Sequence, residues 1–221
     1  MNDNSVIGRL VSSFSLATRF SYDHFLSLLY YLGLLTIVKD AGNLEFEFRA
    51  PNQIIRDIYY DYYYTYLIDY SDITDILVQD SLAALTHGDA LPLVELIEKI
   101  ISESTAKNNR YMIHFRENSL QTLFFVFLRK SLDFNVYMEY KTEAGYIDIF
   151  CKPIQGKDPV IFKFKYISTA KYEENAIVLK LAQDEVTAQI ESDIDQIGSC
   201  TAYSIIFVGK QCMYNEKRTE I

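Results

Sequence analysis

Residues 203–208, Tyr-Ser-Ile-Ile-Phe-Val, restrict the fold of this chain more than any other feature. A run so short and so apolar suits a strand buried on two faces, which requires neighbouring strands and covering helices. The surroundings supply candidates for each. Before the run, residues 182–197 carry Val186, Ile190 and Ile194 on one helical stripe that stops at Gly198. After it, Gly209 and Lys210 turn the chain towards a final segment at 212–215. Further upstream, residues 117–132 place Leu120, Phe124, Phe127 and Leu128 on one helical face. Three extended segments follow, 134–140, 146–152 and 159–166, with a tight connection at 156–158. Helix, three strands, helix, strand predicts an α/β (α+β) domain over residues 109–216.

The first half has a different grammar. After a tail at residues 1–20, Phe25, Leu28, Leu29, Leu32 and Leu35 recur at helical spacing, 40–43 is a turn, and 44–49 alternates as a strand. Pro51 and Asn52 then open a helix with Ile54, Ile55, Ile58, Tyr59 and Tyr62 on its apolar face. A helix, a small β-wing and a helix predict a winged-helix-like module. The run Tyr59, Tyr60, Tyr62, Tyr63, Tyr64 and Tyr66 suits packing between helices and also stacking on bases. Two short helices are expected over 72–104, with Ser71 as N-cap, Gly88 as a stop and Pro92 in the first turn of the second. The winged-helix-like and helical linker module thus covers 21–104, and the polar stretch at 102–109 marks the domain boundary.

Composition narrows the setting. A chain that is 49% hydrophobic can fill a real core, yet its longest apolar stretches, such as 28–38, fall short of the roughly 20 residues a membrane span needs. Residues 1–10 lack the basic and apolar pattern of an export signal, so the cytoplasm is the expected location. Cys151, Cys200 and Cys212 have no CxxC spacing and read as reduced thiols. His24, His87 and His114 are scattered and form no HxxxH pair. A net charge of −9 weakens any case for tight non-specific binding of nucleic acid without a local basic groove or a partner.

Asp148 sits within the apolar strand segment Gly145-Tyr146-Ile147-Asp148-Ile149, where an uncompensated carboxylate is costly to bury. The next strand, Val160-Ile161-Phe162-Lys163-Phe164-Lys165, places two lysines on one face by its period of two. This pair of strands resembles that of PD-(D/E)XK nucleases. The resemblance implies a restriction-endonuclease-like αβββαβ fold, with Asp148 as a ligand of Mg²⁺ and Lys165 positioning the attacking water or phosphate. Oxygen ligands suit such an ion, which neutralises the charge developing on a phosphodiester. Glu117 matches the leading glutamate helix of the family, and Gln189 matches the glutamine on its following helix. Upstream, residues 28–37, Pro51-Asn52 and His87-Gly88-Asp89 look like the linker that joins an ATPase domain to such a nuclease domain in bacterial AAA-ATPase-like proteins. The chain carries no GxxxxGK(S/T) loop, so ATP hydrolysis is not expected from it, and a separate ATPase chain becomes a candidate partner.

Lys163 stands where the family's second acid belongs. An ammonium about 5 Å from a dication costs roughly 7 kcal/mol at an effective dielectric near 20, where a carboxylate would contribute a similar gain. A degenerate metal site is therefore expected, unless a migrated acid replaces the lost one. Glu185, one turn before Gln189, is the candidate ligand beside Asp148, and Glu139 is a second. Two function classes remain open. One is a non-catalytic domain that binds nucleic acid or protein. The other is a Mg-dependent phosphodiesterase acting on DNA or RNA through Asp148, Lys165, Glu117 and a migrated acid.

Overall fold

The computed structural model describes residues 5–12, 20–107, 115–143 and 145–220, without the side chains of Tyr70 and of residues 104–107. Residues 108–114, which hold His114, the end of the polar stretch and the expected start of the second domain at 109, lie outside them. The chain divides into two compact units, Met1–Tyr63 and Tyr64–Ile221.

The first unit contains β1 (Val6–Arg9), α1 (Tyr22–Tyr31), β2 (Thr36–Gly42), β3 (Glu45–Arg49) and the start of α2 (Gln53–Tyr70). Its strands form an antiparallel sheet in the order β1-β3-β2. Strand β1 lies inside the segment expected to be a tail. The first helix starts where the pattern from Ser21 places it, with the Ser21 side chain accepting from the His24 amide, but it ends at Tyr31, short of Leu35, because Gly33 turns the chain at φ +72°. Residues 36–42 then leave as a strand. The hairpin turn lies at Asn43 and Leu44, each at positive φ, as a tight two-residue hairpin requires. Gly8, Leu26, Ser27 and Phe48 are the buried residues of this unit among those described.

The second unit opens with α3 (Asp75–Thr86) and α4 (Leu91–Lys107), which pack together and have Leu85, Leu93 and Ile97 among their buried residues. Thr74, and not Ser71, caps α3 by accepting from the Leu77 amide at 3.3 Å. The Ser71 hydroxyl instead donates to the Leu67 carbonyl at 2.6 Å, closing the end of α2. There follow α5 (Glu117–Leu128), β4 (Phe134–Lys141), β5 (Tyr146–Pro153), β6 (Val160–Ile167), α6 (Thr169–Glu174), α7 (Ile177–Ile197), β7 (Cys200–Val208) and β8 (Gln211–Glu220).

Their five strands form one mixed sheet in the order β4-β5-β6-β7-β8, in which β6 and β7 run parallel and the other pairs antiparallel. Two helices cover it. Phe124 of α5 packs on Phe164, Phe162 and Phe207 with ring centroids 4.7, 6.3 and 6.3 Å away. On the opposite face, Val186, Ile190 and Ile194 of α7 join Ile147, Ile161, Ile167, Ala202 and Ile206 in two apolar clusters. Residues 203–208 are all buried, as the apolar run requires. Strand β8 is longer than the expected 212–215, because it pairs along all of β7 from Gln211 to Glu220.

Candidate functional site

Strands β5 and β6 pair through Cys151↔Val160, Phe150↔Ile161 and Ile149↔Phe162, and there the ladder ends. Beyond it the Asp148 carboxylate takes the place of a strand carbonyl and accepts from the Phe164 amide at 2.9 Å. Strand β4 is irregular at the same level. Met138↔Ile149 and Tyr140↔Ile147 pair, but Glu139 between them sits at φ +52°, a conformation that costs about 1–2 kcal/mol for a residue with a Cβ. The fork leaves space at Asp148 that a side chain of β6 can enter.

Lys163 enters it. Its ammonium lies 3.4 Å from Asp148 Oδ1 and 3.5 Å from Asp193 Oδ2, and it donates to the Tyr146 carbonyl. As whole residues Lys163 and Asp193 are buried, with 7% and 5% of their surface exposed, and Asp148 is half-buried. Each carboxylate contact is worth about 5 kcal/mol of attraction at an effective dielectric near 20, set against a desolvation cost of several kcal/mol per ion. The geometry is loose for Asp193, whose Oδ2 stands 3.5 Å from the ammonium, at the limit of a hydrogen bond, and has no closer partner. Burial pushes the Asp193 carboxyl above its ordinary range; Lys163 pulls it back and the Asp148 charge adds to the rise.

A second cluster lies at the next outward position of β6. Lys165 bonds Glu185 of α7 at 2.8 Å and lies 3.8 Å from Glu117 at the start of α5. Gln189, one turn along α7, donates to Glu185 at 3.4 Å. Burial raises the Glu117 carboxyl; Lys165 lowers it and Asp148 raises it further. For Lys165, burial works against the charge, and Glu185, Glu117 and Asp148 outweigh it, so the ammonium is held above its ordinary value. The two clusters thus share the field of Asp148.

The residues singled out from the sequence fall into these two groups. Asp148 and Lys163 meet in the inner one, and Glu117, Lys165, Glu185 and Gln189 in the outer one. Glu185 is occupied by Lys165, and Glu139 has no ion pair among the described residues. Asp193 was missed, although the helical period contains the signal. Residues 186, 190, 193 and 194 share one face of α7, so Asp193 is a charge set into an apolar stripe.

As they stand, these residues do not fit a divalent metal. An ion about 4 Å from the Lys163 ammonium would be opposed by roughly 8 kcal/mol at the same dielectric. Among the described residues, no three His, Cys, Asp or Glu side chains gather as a metal-holding group. Nor is any helix among them long and apolar enough to cross a membrane.

No curated protein and no solved structure matches the chain. A family does. A helix laid on a mixed sheet, with an acid at a fork between its second and third strands and lysines on the third, accords with that match: residues 115–217 match the PD-(D/E)XK nuclease superfamily.

Proposed function

We propose that this domain has lost phosphodiester hydrolysis and uses its nuclease-like fold to bind nucleic acid in the cytoplasm. The observation that carries the reading is the Lys163 ammonium, which occupies the oxygen-lined position beside Asp148 that a catalytic cation would need. A surface for unpaired bases lies on β4 and β5. The positive φ at Glu139 breaks the alternation of β4, so Tyr137 and Tyr140, three positions apart, approach within 6.0 Å. Tyr140 stacks on Phe150 at 4.4 Å, yet the two tyrosines keep 44% and 37% of their surface exposed. Lys152, paired with Asn135 two positions from Tyr137, supplies a positive charge on the same face. Stacking on such rings is worth about 1–3 kcal/mol per base and tolerates any sequence. On the same reading, residues 21–104 act as a winged-helix-like linker to a separate ATPase chain.

The test is anisotropy with labelled single-stranded and duplex oligonucleotides, run beside plasmid and oligonucleotide cleavage in Mg²⁺. Single-strand binding without cleavage is expected, weakened about 10-fold or more by Tyr137→Ala/Tyr140→Ala. Cleavage by the wild type that Asp148→Ala abolishes would overturn the reading. It would favour a Mg-dependent phosphodiesterase, for which the second carboxylate at Asp193 offers a migrated acid.

A further inference from the structure

We infer that Lys163 is the resident cation of a latent divalent-metal site walled by Asp148, Asp193 and the Tyr146 carbonyl. The inference rests on the degenerate-site reading above and adds what the site was exchanged for. Three oxygens from two elements converge on the ammonium, Asp148 Oδ1 at 3.4 Å and Tyr146 O from β5, and Asp193 Oδ2 at 3.5 Å from α7. Two carboxylates and a carbonyl are hard donors, the set that Mg²⁺, Mn²⁺ and Ca²⁺ prefer.

An ordinary structural ion pair would close its hydrogen bonds, because a buried polar atom left open is costly. Here Asp193, only 5% exposed, leaves Oδ2 with no partner closer than the cation at 3.5 Å. The carboxylate is compensated by charge and not by shape, as a site holding a substitute for its ion would be. Lys163 and Asp193 therefore form a reciprocal exchange. The strand holds a cation where an acid belongs, and the facing helix holds an acid within its apolar stripe.

Removing the ammonium while keeping the cage should open the site. Metal–oxygen distances of about 2.0–2.6 Å require the walls to close by roughly 1 Å, and water completes the shell in the space of the lost side chain. The experiment uses the full chain with Mn²⁺ as probe, read by calorimetry and thermal melting. Wild type, Lys163→Ala, Lys163→Gln and Lys163→Ala/Asp193→Asn are compared; the glutamine variant keeps a polar group in case the alanine variant folds poorly.

We expect the wild type to bind no Mn²⁺ and each single variant to bind one ion. Their melting temperatures should rise by roughly 5–10 °C when the metal is about 100-fold above its dissociation constant. The double variant should bind at least about 10-fold more weakly, as when one of few ligands is lost. If both Lys163 variants are unfolded without metal, refolding on addition of Mn²⁺ supports the inference and failure to refold overturns it. It is also overturned if neither variant gains metal, if the gain survives Asp193→Asn, or if the wild type binds as tightly as Lys163→Ala. Nucleic-acid cleavage plays no part in these outcomes, so the binding reading can fail by itself.

Discussion

Lys163 and Lys165 stand two residues apart on one face of one strand, each between two acids, yet their surroundings differ. The Lys163 side chain is 9% exposed, between Asp148 at 17% and Asp193 at 7%. That of Lys165 is 23% exposed, and its partners Glu117 and Glu185 reach 35% and 52%. A single row of α7, residues 185, 189 and 193, runs past the two lysines and meets Lys165 with its exposed end and Lys163 with its buried one. The same pair of residue types is thus a solvated contact at the rim and a constraint on folding inside. Charge chemistry alone does not distinguish them; depth does.

The strongest way to break that contrast is to remove the inner cation. Lys163→Met leaves the Asp148 and Asp193 carboxylates without their cation and should cost about 3–5 kcal/mol in urea unfolding. Neutralising the acids as well, in Lys163→Met/Asp148→Asn/Asp193→Asn, should return much of it. A cost below about 1 kcal/mol would make the inner cluster no different from a surface pair.

Asp193→Asn sharpens the contrast through pH. Because burial raises the folded carboxyl above its unfolded value, the folded state holds the proton more tightly. Wild-type stability relative to the variant should therefore be level below about pH 4. It should decline as pH rises through the folded value, by at most about 1.4 kcal/mol per pH unit. A relative stability that climbs with pH would show that the Lys163 attraction outweighs burial.

The outer cluster should respond weakly. Lys165→Ala is expected to cost no more than about 1 kcal/mol, with the effect fading in high salt. Glu185→Gln should change unfolding by only about 0.3 kcal/mol and leave the inner cluster intact. A salt-insensitive loss above about 2 kcal/mol in either variant would place the rim on the same footing as the interior.

The second unit was readable because its patterns are decided by burial. Alternation gave β4 to β6 within a residue or two at each end, and the apolar run gave β7. Period two also brought Lys163 to the side of Asp148, which the ion pair bears out. Where chain direction depends on one backbone angle, the reading failed. The apolar pattern through Leu35 continues past Tyr31, but Gly33 at φ +72° ends the helix there. Strand β1 is only four residues long, with too few positions for a period to register. Asp193 escapes sequence reasoning for a different reason: the stripe registers through its apolar residues, and a lone charge among them does not alter the period.

The bond from the Phe164 amide to Asp148 Oδ2 ties one peptide proton to the chemistry of the site. Amides held by the ladder exchange with solvent when the sheet opens, whereas this one is shielded by a carboxylate. Drawing Asp148 towards an ion or replacing it should release that proton while its neighbours on β6 stay protected. A single resonance in a deuterium-exchange spectrum is therefore a built-in gauge of what Asp148 is bound to, readable before any ligand is known.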